Sequence, residues 1–264
     1  MKIFIAGSNT RGCGQACIDN GVPKLYSFKS EKNDIMKWDD ANLLMVDSGA
    51  HSWNKETINK MGMKKAAKLE NATTYLSRYE KFIKDYAEKR TIFVEYDVYG
   101  HLKKEDIDES YLRVESIKKN SIFMRVYHPM LDDGKLKILK EWIENGQTYI
   151  GIGNDSIPYL DKIFDVTKDK IRIHGFAMTK IEILETYPFF SVDSTTPIST
   201  VIFGNYADKY LGMKDKEEVI RRHSIEIFHE DEERLNNAIK QVKKTELYLT
   251  RLWERRKIKW NNVF

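Results

Sequence analysis

The run Pro188-Phe189-Phe190-Ser191-Val192-Asp193-Ser194-Thr195-Thr196-Pro197 is short, apolar or β-branched for most of its length, bounded by prolines, and stops on an acid. About 4 to 8 such residues between turn signals read as a buried strand, and a buried strand does not ordinarily end on a carboxylate without a use for it. Three other runs share the pattern: Leu43 to Asp47, followed by Ser48-Gly49; Ile92 to Asp97; and Phe123 to His128, followed by Pro129. Four strand ends carrying titratable side chains suggest one shared rim, and Asp193 is the first candidate for a reactive group.

Further strand-like runs end near Ala6, Gly153 and Gly175, and helical patterns fall between most of them. Tyr75, Tyr79, Phe82, Ile83 and Tyr86 recur at three- and four-residue intervals, which predicts an amphipathic helix over 71–89 whose aromatic stripe belongs to the core. Shorter helices are expected over 104–119, 135–145, 159–164 and 180–186. Val22 to Phe28 reads as a short strand or an extended connection, and Val201-Ile202-Phe203 could supply an eighth strand. Strands alternating with helices imply parallel pairing and helix-covered faces. Seven or eight such units in about 200 residues fit an α/β fold of the (β/α)8 TIM-barrel type, with its active site at the C-terminal ends of the strands.

The chain of 264 residues can bury one large core, so a single domain over 1–264 is expected, with the barrel over about 1–205 and C-terminal helices over about 214–260. In that last part Leu235, Ile239, Val242, Leu249 and Leu252 are spaced to form one face against the barrel wall. Hydrophobic residues at 41% and charged residues at 32% exclude disordered and collagen-like classes. No apolar stretch approaches the roughly 18 residues that span a bilayer, and Met1 to Gly7 lacks the apolar core of a signal peptide, so a soluble, cytoplasmic protein without a membrane partner is expected.

Cys13 and Cys17 are the two cysteines; they provide no disulfide framework, no thiolate zinc site and no iron–sulfur triplet. The loop Gly7-Ser8-Asn9-Thr10-Arg11-Gly12-Cys13-Gly14 matches neither the phosphate-binding loop nor the dinucleotide fingerprint and reads as a strand-to-helix turn. A net charge of +4 permits a polyanionic partner without demanding one. Arg125, Lys180 and the terminal cluster around Arg255 and Arg256, with Trp253 and Trp260 interleaved, are candidates for nucleic-acid backbone contact and base stacking. The same terminal pattern also fits a solvated helix face whose tryptophans dock on the core.

Several carboxylates at one barrel mouth suit glycosidic bond cleavage, where one attacks the sugar carbon and another manages the leaving group. Clustered acids can instead bind a divalent metal, with His51, His128 or His174 completing the shell, but no His-x-His or His-x3-His pair supports that, and neither metal nor cofactor is expected. The ordered series Asp47-Ser48-Gly49, the strand ending at Asp97, Tyr149 to Gly153, Ile173-His174-Gly175-Phe176 and Val192-Asp193-Ser194 resembles the tRNA-guanine transglycosylase superfamily, above all its compact, phage-associated branch that places 7-deazaguanine bases in DNA. The resemblance covers about residues 40 to 200. It implies replacement of guanine by a 7-deazaguanine derivative through a covalent double displacement at the nucleotide's anomeric carbon. Asp193 would then be the nucleophile and Asp47 the general acid/base. Asp97 would read the base edge, and Ser48, Gly49, His51, Tyr127, His128, Gly151, Gly153, His174 and Phe176 would line the pocket.

The departures from that family's pattern bear on substrate. Ala50-His51 stands where the family carries glycine and an aromatic residue, and Tyr127-His128-Pro129 where the tRNA enzymes carry a base-reading glutamine. The cysteine-and-histidine zinc subdomain of the tRNA enzymes is absent from this sequence, which favours DNA over tRNA as partner, with a free deazapurine as co-substrate and a homodimer possible. Two other readings remain open: a DNA glycosylase of the same fold, in which water replaces the incoming base and leaves an abasic site, and a non-catalytic nucleic-acid-binding subunit.

Overall fold

The computed structural model describes residues 1–7, 13–30, 43–51, 71–87, 91–99, 102–168, 170–203 and 229–260. Eight strands close into a barrel in sequence order: β1 (Lys2–Ala6), β2 (Lys24–Ser27), β3 (Leu44–Asp47), β4 (Thr91–Val94), β5 (Ile122–Tyr127), β6 (Tyr149–Ile152), β7 (Arg172–Gly175) and β8 (Ser191–Ser194). Neighbouring strands run parallel, as in β1 with β8, β3 with β4 and β6 with β7. Helices α1 (Cys13–Asp19), α2 (Ala72–Tyr86), α3 (Lys104–Ile117), α4 (Lys137–Glu144), α5 (Leu160–Thr167), α6 (Ile181–Thr186) and α7 (Thr196–Phe203) lie between or after the strands, and α8 (His229–Arg255) follows. The expected α/β barrel with a C-terminal helical extension is therefore the observed fold. Among the described residues no helix is long and apolar enough to cross a membrane.

Three boundaries differ from expectation. Val201 to Phe203 is the end of α7, not a strand, and Lys24–Ser27 completes the barrel. Pro197 at the second position of α7 is pre-set for a first helical turn, and the Ser194 hydroxyl accepts from the Thr196 N–H at 3.2 Å just before it. β4 stops at Val94, so Asp97 lies three residues beyond its strand, and β8 continues through Ser194, so Asp193 lies inside its strand. Ser8 to Gly12 of the glycine-bearing loop, Ser52-Trp53, the turn at Gly100 and positions 214–228 lie outside the described residues.

The chain divides into two compact units. One comprises Met1–Leu25, Asp40–Leu43 and Tyr127–Phe264. Its core joins Ile3, Ile5, Ile150, Ile152, Ile173 and Val192 from the strands with Leu139, Leu160 and Leu184 from the helices. Since successive side chains of a strand point to opposite faces, Phe4, Gly151, His174, Ser191 and Asp193 stand on the face turned away from these helices. Leu235, Ile239, Val242 and Leu249 of α8 are buried in the same core, as their spacing predicts. Each such aliphatic side chain contributes about 1.5–3 kcal/mol on full burial. α8 also holds β1 by its polar side chains: Glu246 accepts from the Ile3 N–H at 3.0 Å and pairs with Lys2 at 2.9 Å.

The other unit comprises Tyr26–Asp39 and Leu44–Val126, with a core of its own around Phe28, Val46, Tyr75, Tyr79, Ile83, Phe93 and Phe123. Asn71 caps α2 by accepting from the Thr73 N–H at 2.8 Å. The aromatic stripe of α2 enters this core, and the Tyr79 hydroxyl donates to the Val46 and Val94 carbonyls at 3.1 and 2.8 Å, fastening the helix to two adjacent strands. Tyr79→Phe is expected to lower the unfolding free energy by about 1–3 kcal/mol, because buried carbonyls lose a donor; urea denaturation measures it.

Candidate active site

Asp193 and Ser191, two residues apart on β8, project from one face of the strand. Asp193 is 7% exposed. The Ala177 N–H donates to its Oδ1 at 2.8 Å, and His174 Nε2 lies 3.4 Å from the same oxygen. Ala177 reaches this position with φ of 54°, so the turn after β7 uses a sparsely populated backbone conformation to aim an amide at the carboxylate. Among the described residues no donor is directed at Oδ2.

Behind Asp193 runs a buried polar file. His174 Nδ1 is 2.7 Å from Ser191 Oγ, and Ser191 Oγ is 2.5 Å from Tyr149 Oη. Burial pushes the Tyr149 phenol well above its ordinary pKa, with the Ser191 contact and Arg172 pulling the other way, so it stays protonated and able to donate. Phe176 meets His174 edge-on at 4.5 Å and its ring occupies the space over Gly151, where an added Cβ would stand 2.4 Å from the ring. Gly151, expected to line the pocket, thus makes room for Phe176. At Gly153 a Cβ would stand 2.9 Å from Asp155 Oδ1, and Asp155 Oδ2 pairs with His128 Nδ1 at 3.0 Å.

Tyr127 is not a pocket residue. It is fully buried, its hydroxyl donates to Asp132 at 3.0 Å, and its ring meets Trp142 of α4 edge-on. Asp132 also accepts from the Ile138 N–H at 3.1 Å, so Tyr127 serves the packing of α4.

In the other unit, Asp47 closes β3 and accepts from the Gly49 N–H at 3.1 Å. Gly49 has φ of +81°, and a Cβ there would stand 2.8 Å from Lys29 Cβ and 2.9 Å from Tyr75 Oη, so only glycine fits this turn. The Ser48 hydroxyl donates to the Glu95 carbonyl at 2.9 Å, and the Tyr75 hydroxyl donates to the Ser48 carbonyl at 2.7 Å. Ser48 and Gly49 therefore hold the turn that presents Asp47. Asp97 is half-buried and His51 exposed.

Arg125, expected to meet a phosphate backbone, is enclosed. Its Nε donates to Glu95 at 2.9 Å, its terminal nitrogen pairs with Asp108 at 2.5 Å, and its guanidinium lies over the Tyr111 ring at 4.6 Å. At 6% exposure, held between two carboxylates and an aromatic face, this guanidinium is not presented to a polyanion. Burial pushes the Glu95 carboxyl up to about 7, against the opposing pull of Arg125 and the Val126 N–H. The terminal cluster is also partly committed. Trp253 is buried and donates to the Leu184 carbonyl at 3.0 Å, Arg256 donates to the Glu185 carbonyl and lies over the Trp253 ring, and Trp260 is half-buried near Phe190. Trp253 is thus unable to stack on bases. Arg255 and Lys180 are exposed.

The residues brought together around Asp193 include two to which the spacing of acids assigned no role, Tyr149 and Ser191. The period-two rule carries the signal: Ser191 shares a face with Asp193, and Gly151 shares a face with Tyr149. Among the described residues no group of three or more His, Cys, Asp or Glu side chains is arranged to hold a metal ion.

Gly151→Ala is expected to displace Phe176 and lower stability by about 1–3 kcal/mol, much of it recovered by adding Phe176→Leu; thermal melts of the single and double variants check this. Glu95 predicts a pH dependence. Its folded carboxyl holds a proton more tightly than the ordinary value of 4.5, so its contribution to stability is present below pH 4.5 and is lost as pH rises through about 7. Glu95→Gln should flatten the change of the urea midpoint across that window, while lowering the midpoint by leaving Arg125 with one carboxylate.

No family model and no curated protein matches the sequence. Among solved structures, wild-type sialic acid aldolase of Ruminococcus gnavus is similar in fold at a TM-score of 0.47 and 8% sequence identity, over 94% of this chain and 98% of that one.

Proposed function

We propose that the protein is a nucleic-acid base-exchange enzyme that acts through Asp193 and replaces guanine with a 7-deazaguanine derivative, most readily in DNA. One observation carries the reading: a carboxylate on a buried strand has one oxygen held by the Ala177 N–H, while no donor among the described residues is directed at the other. A carboxylate restrained in this way suits attack on a sugar carbon. The ordered motifs around Asp47, Asp97, Gly151, His174 and Asp193 supply the choice of a nucleoside as substrate.

In this reading Asp193 Oδ2 bonds to the anomeric carbon as the glycosidic C–N bond breaks. The electron pair of that bond leaves with the guanine ring nitrogen, which takes a proton from Asp47. The incoming deazapurine then gives its ring proton to Asp47, and its nitrogen attacks the anomeric carbon, releasing the Asp193 carboxylate with retention. Asp97 accepts from the donor edge of the base. The target nucleotide must be single-stranded or flipped out of the duplex for an aspartate inside a barrel to reach it. His128 and His51, with Lys180 and Arg255 at the surface, remain candidates for contacts to base and backbone.

Asp193→Ala is expected to abolish incorporation of a labelled deazapurine into a guanine-containing oligonucleotide and to remove the covalent adduct trapped on the wild type. Asp47→Asn should slow exchange by about 10²–10⁴-fold, the range of a lost general acid/base. Exchange undiminished in Asp193→Ala would falsify the assignment. Alkali-labile strands formed without any added base would point instead to hydrolysis.

A further inference from the structure

His174 Nε2 is buried and makes no hydrogen bond, although Nδ1 of the same ring is engaged at 2.7 Å. An unmatched buried nitrogen is uncommon enough to call for an explanation. Its nearest acidic neighbour is Asp193 Oδ1 at 3.4 Å, too long for a good hydrogen bond and close enough for a small shift to make one. Hydrogen bonds of this kind often tighten only when the reacting groups are in place.

The tautomer is set by the partners. In a neutral imidazole one nitrogen donates and the other accepts. A lone pair on Nε2 would face the Asp193 carboxylate, so Nε2 carries the hydrogen and Nδ1 accepts from the Ser191 hydroxyl. Ser191, having given its hydrogen to His174, accepts from the Tyr149 phenol at 2.5 Å. All the donors then point one way, from Tyr149 through Ser191 and His174 to Asp193. Edge contacts from Phe4 at 5.8 Å and Phe176 at 4.5 Å hold the imidazole plane.

Resting on the base-exchange reading, we propose that Tyr149, Ser191 and His174 form an oriented donor relay that eases departure of the Asp193 carboxylate from the glycosyl intermediate, making these three positioning residues for the second half of the reaction. A hydrogen bond to a carboxylate is stronger than one to an ester carbonyl. In the intermediate Oδ1 is the ester carbonyl. As the bond between Oδ2 and the anomeric carbon breaks, its electron pair returns to the carboxylate, and the Nε2–H closes on the charge that develops at Oδ1. The relay therefore favours the step that releases Asp193 over the step that consumes it.

The test uses the full chain, a guanine-containing DNA oligonucleotide, a labelled 7-deazapurine, and Ser191→Ala, Tyr149→Phe, His174→Leu and His174→Gln. Ser191→Ala and His174→Leu are expected to lower turnover by about tenfold while the fraction of enzyme trapped as covalent adduct rises. Tyr149→Phe should move both quantities the same way by less, and His174→Gln, which keeps an N–H at that end, should recover part of the loss. A purely structural role would lower turnover and adduct together, and that result overturns the proposal. Independently of activity, ¹⁵N spectra of histidine-labelled protein, with His174 assigned from its variants, should show the Nε2–H tautomer in the wild type and its loss of dominance in Asp193→Ala, which removes the carboxylate that selects it. A wild-type Nδ1–H tautomer overturns the relay. A wild type with the Nε2–H tautomer but no adduct overturns the base-exchange reading itself.

Discussion

A parallel strand covered on both faces gives its polar side chains no access to bulk water, so each must be answered from within the protein. On β7 and β8 one face meets this demand with the hydrocarbon of Ile173 and Val192 and with Ser194, whose hydroxyl accepts from the Thr196 N–H. The opposite face carries His174, Ser191 and Asp193, and with Tyr149 of β6 these form one connected file. Removing any member leaves a neighbour buried without its partner, so the set stands or falls together. The other unit answers the same demand differently. Arg125, Glu95 and Asp108 satisfy one another, and the Val126 N–H takes the remaining Glu95 oxygen. Arg125 and Glu95 of that trio are buried against one another, whereas the file behind Asp193 ends on one unmatched nitrogen and, among the described residues, one oxygen without a donor.

The barrel was legible because its signals are redundant. Apolar runs and helical spacing recur along the chain, and an error at one element does not alter the alternation. The eighth strand was the weak point: Lys24-Leu25-Tyr26-Ser27 opens with a lysine that the barrel buries to 1% exposure, while Val201-Ile202-Phe203 is the more apolar run and is helical. Charge at a buried position and apolarity in a helix both defeat a reading by composition, and Pro197 was the better guide to the helix that succeeds β8.

The site was legible in part, for a different reason. A carboxylate in an apolar run is conspicuous, so Asp47 and Asp193 stand out, but a charge in the sequence does not reveal whether its partner is solvent or another side chain. Arg125 looks like a cation for phosphates until Glu95 and Asp108 are seen around it. Tyr127 occupies the place of a pocket residue until its hydroxyl is found on Asp132. Ser191 and Tyr149 show the converse. They are chemically quiet alone and acquire a role from what the barrel sets beside them.

The hold of α8 on β1 bears on when this protein can fold. The Ile3 N–H is answered by Glu246, and the Leu184 carbonyl by Trp253, across separations of 243 and 69 residues. On the ribosome, β1 is made long before α8, at the usual pace of about 5–20 residues per second. Until α8 emerges, the Ile3 N–H and the Lys2 side chain lack their partner and the core around Ile3, Leu160 and Leu184 lacks one wall. The nascent chain therefore exposes this apolar face for the whole span between them, and stalling or truncation ahead of α8 would yield a barrel whose first strand is left uncovered on that face.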